Sequence, residues 1–306
     1  MSFDLSFCRA DETVPAIAEL KEYFQTNSLF EANDTAGGGV QFWYQNPATG
    51  VYCDFSYSPL DAEEQEGCGK SGLSFNLNYA RPSFFAFETM PLVQAYCRHF
   101  KLQVEDPQAD TVGPADAQSL IESWQSHNAS AVKAMQAMRK QEEVALHYLA
   151  EDRATDWWRY MSRRQRLEES LTEDLFVPTM ITLLNPAREV FTMIVCPIAI
   201  AQFFPRCQYL CVKRETRRLF RTKEEIGLVA YETVIDAIST LLEEYEFEGL
   251  RINCLRPAKL AAATERLQKV PLLAVDLSQY TQLASGDYHD VALSLDDSPM
   301  QLNVSE

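Results

Sequence analysis

Basic residues are scarce in this chain: 27 Lys and Arg stand against 44 Asp and Glu, a formal net charge of −17. A surface so short of cations is repelled by a phosphate backbone, which sets nucleic acid aside as a direct ligand. The same field attracts a basic protein partner and speeds its encounter. Long apolar runs are also missing. No stretch reaches the ~18 uninterrupted apolar residues of a membrane span. The most apolar one, residues 190–204, is broken by Pro197 and reads as buried strand and loop. Residues 1–9 (MSFDLSFCR) carry charge in their middle and no apolar core, so they show no targeting signal. The eight cysteines are scattered, several inside apolar stretches, as buried free thiols of a reduced compartment are. These absences make a cytoplasmic protein without a membrane segment the expectation.

Catalytic signatures are equally sparse. The four histidines, His99, His127, His147 and His289, are isolated, and none has a partner at the i, i+4 spacing of a helical metal pair. Cys207 and Cys211 have no second pair to complete a zinc set, so no metal is expected. Residues 67–72 (GCGKSG) contain Gly-Lys-Ser, but a phosphate loop needs a glycine five positions before its Gly-Lys, and that position is Glu64. The segment reads as a flexible turn, and no cofactor is expected. No Gly-x-Ser-x-Gly elbow occurs. Carboxylates are too abundant for any pair to be singled out for acid–base work. The chain reads as a protein that is not an enzyme.

What is present is a well-patterned α+β chain. At 306 residues it has length for about two domains, and 46% hydrophobic residues suffice for packed cores. Residues 2–9 alternate Phe3, Leu5 and Phe7 with polar positions, the period of a half-buried strand. Thr13 is placed to cap a helix through Ile17, Leu20, Tyr23 and Phe24. Residues 40–44 and 51–57 form a hairpin around residues 46–50 (NPATG), and residues 73–79 form another alternating strand. Residues 82–100 read as a helix with a kink at Pro91, and 102–104 as a last strand. A helical middle follows. Beyond it, strands are expected at 180–184, 190–196, 209–212, 250–255, 272–275 and 291–295, with helices at 231–245 and from Pro257 to Leu267. The expected layout is an α+β fold of two α/β sandwich-like segments, residues 1–112 and 176–306, joined by a helical connector over 113–175.

Charge is unevenly placed along the chain. Asp61, Glu63, Glu64 and Glu66 form an acidic loop, and Glu243, Glu244, Glu246 and Glu248 close the 231–245 helix. The last 37 residues hold six acids and no Lys or Arg. Arg206, Lys213, Arg214, Arg217, Arg218, Arg221 and Lys223 form a basic run, and Arg159, Arg163, Arg164 and Arg166 a smaller cluster. Opposite blocks can pair within the protein. Alternatively, an acidic surface engages a cationic partner, and the two glutamate-rich blocks are the candidate partner-binding residues.

Three segments carry a resemblance: residues 73–88 (LSFNLNYARPSFFAFE), 2–9 (SFDLSFCR) and 44–55 (YQNPATGVYCDF). With them the chain resembles bacterial type VI secretion immunity proteins, of the kind that neutralises a restriction-endonuclease-like nuclease effector. The resemblance is concentrated in residues 1–108. It implies a non-enzymatic cytoplasmic protein that binds its cognate toxin tightly, either occluding the active site or disturbing the toxin's assembly. The three segments look like strand and helix-start packing, so they transfer no toxin-contacting residue. A general interaction or scaffold module, and an enzyme with an unfamiliar carboxylate site, remain the alternatives.

Overall fold

The computed structural model describes residues 1–9, 11, 13–59, 71–138, 146–218 and 221–292, with 215–218 and 221–223 described by backbone alone. The chain is a mixed α+β protein that divides into two compact units. The first comprises residues 1–146 together with the chain from 285 onward; the second comprises 147–284.

The first unit follows the alternation in its sequence. Its elements are β1 (Ser2–Cys8), α1 (Ile17–Gln25), β2 (Phe30–Asp34), β3 (Val40–Gln45), β4 (Tyr52–Tyr57), β5 (Leu73–Asn78), α2 (Phe84–Phe100), β6 (Gln103–Asp106), β7 (Thr111–Pro114) and α3 (Ala117–Met138). The strands form one sheet ordered β2-β3-β4-β5-β1-β6-β7, with every pairing antiparallel. Phe3, Leu5, Phe7, Phe42, Phe55, Phe75 and Leu77 are all buried on one face. Helices α1 and α2 cover that face: Phe24 stacks on Phe42 at 4.2 Å, and Tyr96 meets Phe55 and Phe7 at 5.2 Å each. Aromatic pairs at such separations add to the burial term. The α2 helix runs on through Pro91.

Three observations depart from the sequence reading here. The first helix begins at Ile17 with Ala16 as its cap, and Thr13 instead bonds Asp11. Strands β2 and β7, whose sequences FEAND and TVGP show no alternation, extend the sheet at both edges. The helical middle expected over 113–175 is divided, its first helix (Ala117–Met138) lying in the first unit and its second (Glu151–Ser170) in the second.

The second unit contains β8 (His147–Tyr148), α4 (Glu151–Ser170), β9 (Met180–Leu184), β10 (Val190–Pro197), β11 (Gln202–Phe204), β12 (Tyr209–Arg218), β13 (Arg221–Ala230), α5 (Tyr231–Ile238), β14 (Glu243–Phe247), β15 (Leu250–Leu255), α6 (Leu260–Leu267) and β16 (Thr281–Leu283). One sheet is ordered β13-β12-β10-β9-β16 and another β11-β15-β14. Strands β10 and β12 pair in parallel, Ile194 opposite Leu210. Leu183, Phe191, Met193, Cys211 and Leu228 form a core under Val275, Leu277 and Tyr280. Helix α4 is fixed by two buried donors: Trp157 Nε1 donates to the Met180 carbonyl at 2.9 Å, and the Tyr160 hydroxyl to that of Pro178 at 2.6 Å. Residues 272–275 do not form the expected strand. Leu273 alone bridges to Leu228, exchanging both backbone hydrogen bonds at 2.9 and 3.0 Å. The strand expected at 291–295 runs outside the described residues from 293, and 291–292 are irregular.

The chain returns to the first unit at Ser285. The Ser285 hydroxyl donates to the Thr49 carbonyl at 2.6 Å, and strand β17 (Tyr288–His289) follows.

Candidate functional site

Of the expected partner-binding residues, Asp61, Glu63, Glu64 and Glu66 lie outside the described residues. Glu243, Glu244, Glu246 and Glu248 do not close a helix. Helix α5 stops at Ile238, a short 3₁₀ turn covers Ser239–Leu241, and Glu243, Glu244 and Glu246 sit on strand β14. Glu248 follows in the turn to β15. The stretch EEYEF alternates, with Tyr245 and Phe247 partly buried and the glutamates exposed, which is a strand period.

Three of the four glutamates are engaged within the second unit. Glu243 pairs with Lys259 at 3.1 Å and Arg256 at 3.4 Å, and Arg256 also reaches Glu173 at 3.0 Å. The Arg166 guanidinium donates to both Glu248 oxygens, the shortest contact being 2.6 Å. Arg251 lies 4.0 Å from Glu244. Hydrogen bonds from Lys259 hold Glu243 below the usual carboxylate range, and Arg166 does the same for Glu248. The basic blocks are engaged in the same way: Arg214 with Glu225, Lys213 with Glu224 and Arg164 with Glu168. Internal pairing therefore accounts for much of the charge blocking in this unit; the solvent-exposed pairs contribute little, while Arg214–Glu225 is the more buried one.

A different surface emerges in the first unit. A strand's side chains alternate between faces, so a sheet packed on one side carries a second row set on the other. Across from the helix-covered core the register aligns Asp4, Asn76, Asp54, Trp43 and Glu31 in one row. The neighbouring row runs Val112, Glu105, Ser6, Ser74, Ser56, Gln41 and Asn33. Seven strands span roughly 30 Å at the usual inter-strand spacing. These two rows contain four carboxylates and neither Lys nor Arg. Their residues are half-buried or exposed, and Asp4, Glu31 and Val112 are among the exposed ones.

The polar network on this face is local. Asn76 Nδ2 donates to Asp4 Oδ1 at 2.6 Å, and the Ser56 and Ser74 hydroxyls share a hydrogen bond at 2.7 Å. Burial raises the Asp54 carboxyl above the usual range; a hydrogen bond from Gln41 opposes this, and the Asp4 charge adds to it. A raised carboxyl without a countercharge is poised to gain from an incoming cation. Trp43 stacks on Tyr52 at 5.5 Å and 16°. At the end of the face Arg81 donates to the Tyr52 hydroxyl at 2.7 Å, its guanidinium carbon 5.8 Å from the ring centroid.

The segments that carry the resemblance supply Asp4, Asp54 and Asn76 to this face, and below it two of them are tied together. Glu88 on α2 accepts from the Tyr44 hydroxyl and Asn46 Nδ2 at 2.8 Å each and from Thr49 Oγ1 at 3.0 Å, tying the β3–β4 turn to the helix. Ala80 has a left-handed backbone (φ 58°), held where Asn128 accepts its N–H at 2.7 Å and donates to the Arg81 carbonyl at 3.0 Å.

Among the described residues of the first unit, two clefts bear on this face and its surroundings. One, of about 460 Å³, is lined by Arg9, Asp11, His99, Phe100 and Lys101. Arg9 is committed there to the Phe100 carbonyl at 2.8 Å and Thr13 at 3.1 Å. The other, of about 450 Å³, lies where β2 and β3 meet their turns, and Glu31, Trp43 and Gln45 line it with Phe30, Leu29 and Pro47.

Thiol chemistry finds little support. Cys53, Cys97, Cys196, Cys207, Cys211 and Cys254 are free and buried. Burial pushes Cys97, Cys196 and Cys207 up to about 12 and Cys254 to about 11, keeping them as unreactive thiols at neutral pH. Cys8, by contrast, is disulfide-bonded, which runs against the reduced compartment expected from the scattered cysteines. Among the described residues no three His, Cys, Asp or Glu side chains gather as a metal site, and no helix is long and apolar enough to cross a membrane.

The sheet face was legible only in part. The alternation that marks β1, β4 and β5 also marks their polar sides, but which strands lie next to one another, and so which carboxylates share a row, is a matter of long-range pairing. Comparison of the chain with protein-family models, with curated proteins and with solved structures found no match.

Proposed function

We propose that the chain is an immunity, antitoxin-like protein that binds and neutralises a cognate secreted toxin, a nuclease, in the cytoplasm. The observation that carries the binding half of this reading is the broad sheet face of the first unit, with Asp4, Asp54 and Glu31 in one row, Glu105 in the next, and no cation in either. A nuclease must hold a polyanion and so presents a basic groove, and an acidic face of this breadth complements such a groove in charge and steers its approach. The choice of toxin rests on the resemblance of residues 1–108 to type VI secretion immunity proteins.

Co-expression with the product of the neighbouring gene, followed by co-purification and a growth-rescue assay, tests this reading. A stable complex with restored growth supports immunity. Several weak partners and no rescue would favour a general interaction module instead.

A further inference from the structure

We propose that the cleft where β2 and β3 meet their turns is the anchor of the sheet face and receives an arginine side chain of the partner. The inference rests on the reading that this face binds a basic protein, and it names the group that is recognised.

The cleft has the three elements such a side chain needs. Trp43 supplies an indole wall, and it is held in place by its stack on Tyr52. Glu31, directly opposite Trp43 in the strand register, supplies a carboxylate on the same wall. Glu31 is exposed and has no ion-pair partner among the described residues. Leu29, Phe30 and Pro47 supply apolar surface for an aliphatic stem. A guanidinium suits this set better than an ammonium, because it lies flat on an aromatic ring while its donor fork meets a carboxylate. The position at the sheet edge, at the end of the row that holds Asp54, lets one arginine anchor a basic surface that then lies across the face.

The test uses the full chain with ¹⁵N-labelled tryptophan indoles, the Trp43 resonance being assigned by Trp43→Phe. A blocked Gly-Arg-Gly peptide is titrated in, with the neutral citrulline peptide as its control. The expected result is a saturating shift of the Trp43 indole with the arginine peptide, little response to citrulline, and weakening by roughly two- to fivefold in Glu31→Gln. Glu31 is exposed, so that variant folds. An unmoved Trp43 resonance, an equal response to citrulline, or unchanged binding in Glu31→Gln would overturn the proposal. The outcome is separable from the immunity reading: rescue without arginine discrimination removes the cleft and leaves the function, and discrimination without rescue does the reverse.

Discussion

Asp290 clamps the start of α2 from 207 positions away in sequence: it accepts the Ser83 N–H at 2.7 Å and the Ser83 hydroxyl at 3.1 Å. Ser83 is the N-cap of α2 and has no side-chain bond into its own helix, so the carboxylate takes over part of the capping role. Both residues are buried. This contact, with that of Ser285 on Thr49, ties the segment after residue 284 to the first unit.

Asp290→Ala therefore strands two buried donors and should destabilise the first unit by about 3 kcal/mol. Hydrogen exchange of α2 amides measures it. Faster exchange in α2 with the amides of α4 unchanged is the expected pattern, and unaltered protection in α2 would refute the clamp.

Asp54 predicts a pH signature. Its folded-state carboxyl is raised above the ordinary value of 3.8, so the native state holds the proton to higher pH than the unfolded chain does. Stability is then lost as pH rises through the folded value, and the ionised carboxylate costs a fixed amount above it. Asp54→Asn removes that cost, so the variant should unfold at a higher temperature than the parent at pH 7. The advantage should fade as pH falls toward 3.8. A difference that does not vary with pH would contradict the assignment.

Gly227 sits where the 271–273 segment crosses the edge of β13. A Cβ built there would lie 2.8 Å from the Leu273 carbonyl oxygen and 2.9 Å from Leu272 Cβ. Gly227→Ala should cost about 2 kcal/mol by pushing the segment off the edge and breaking the Leu228–Leu273 bridge. Denaturant unfolding gives the magnitude, and retained protection of the Leu228 and Leu273 amides would show that the segment absorbs the methyl.

The elements legible in the sequence were those whose pattern is local. Phe3, Leu5 and Phe7, or Leu73, Phe75 and Leu77, announce a strand by themselves, and the run through Leu260 to Leu267 announces α6. The 231–245 helix was misread because Leu241 and Leu242 continue the apolar period of α5. The counter-signal was Glu248-Gly249, both at positive φ (47° and 75°) between Phe247 and Leu250, a two-residue hairpin turn that requires strands on either side. Pairing was not legible at all. Nothing near Ile194 says that it will lie parallel to Leu210, and nothing in FEAND says that Glu31 will face Trp43. The candidate site is made of such pairings. The glutamates chosen for their density in sequence turned out to have arginine and lysine partners close at hand, whereas the carboxylates of the sheet face are separated by tens of residues.

The most direct test of the account compares two charge reversals in the complex with the neighbouring gene's product. Asp4→Lys with Glu31→Lys alters the sheet face; Glu243→Lys with Glu244→Lys alters β14. The association rate at low and moderate salt is the quantity to measure. The account predicts that the face variant associates at least tenfold more slowly, with its salt dependence reduced, while the β14 variant stays near the parent. A face variant that associates as fast as the parent would place the partner elsewhere on the molecule.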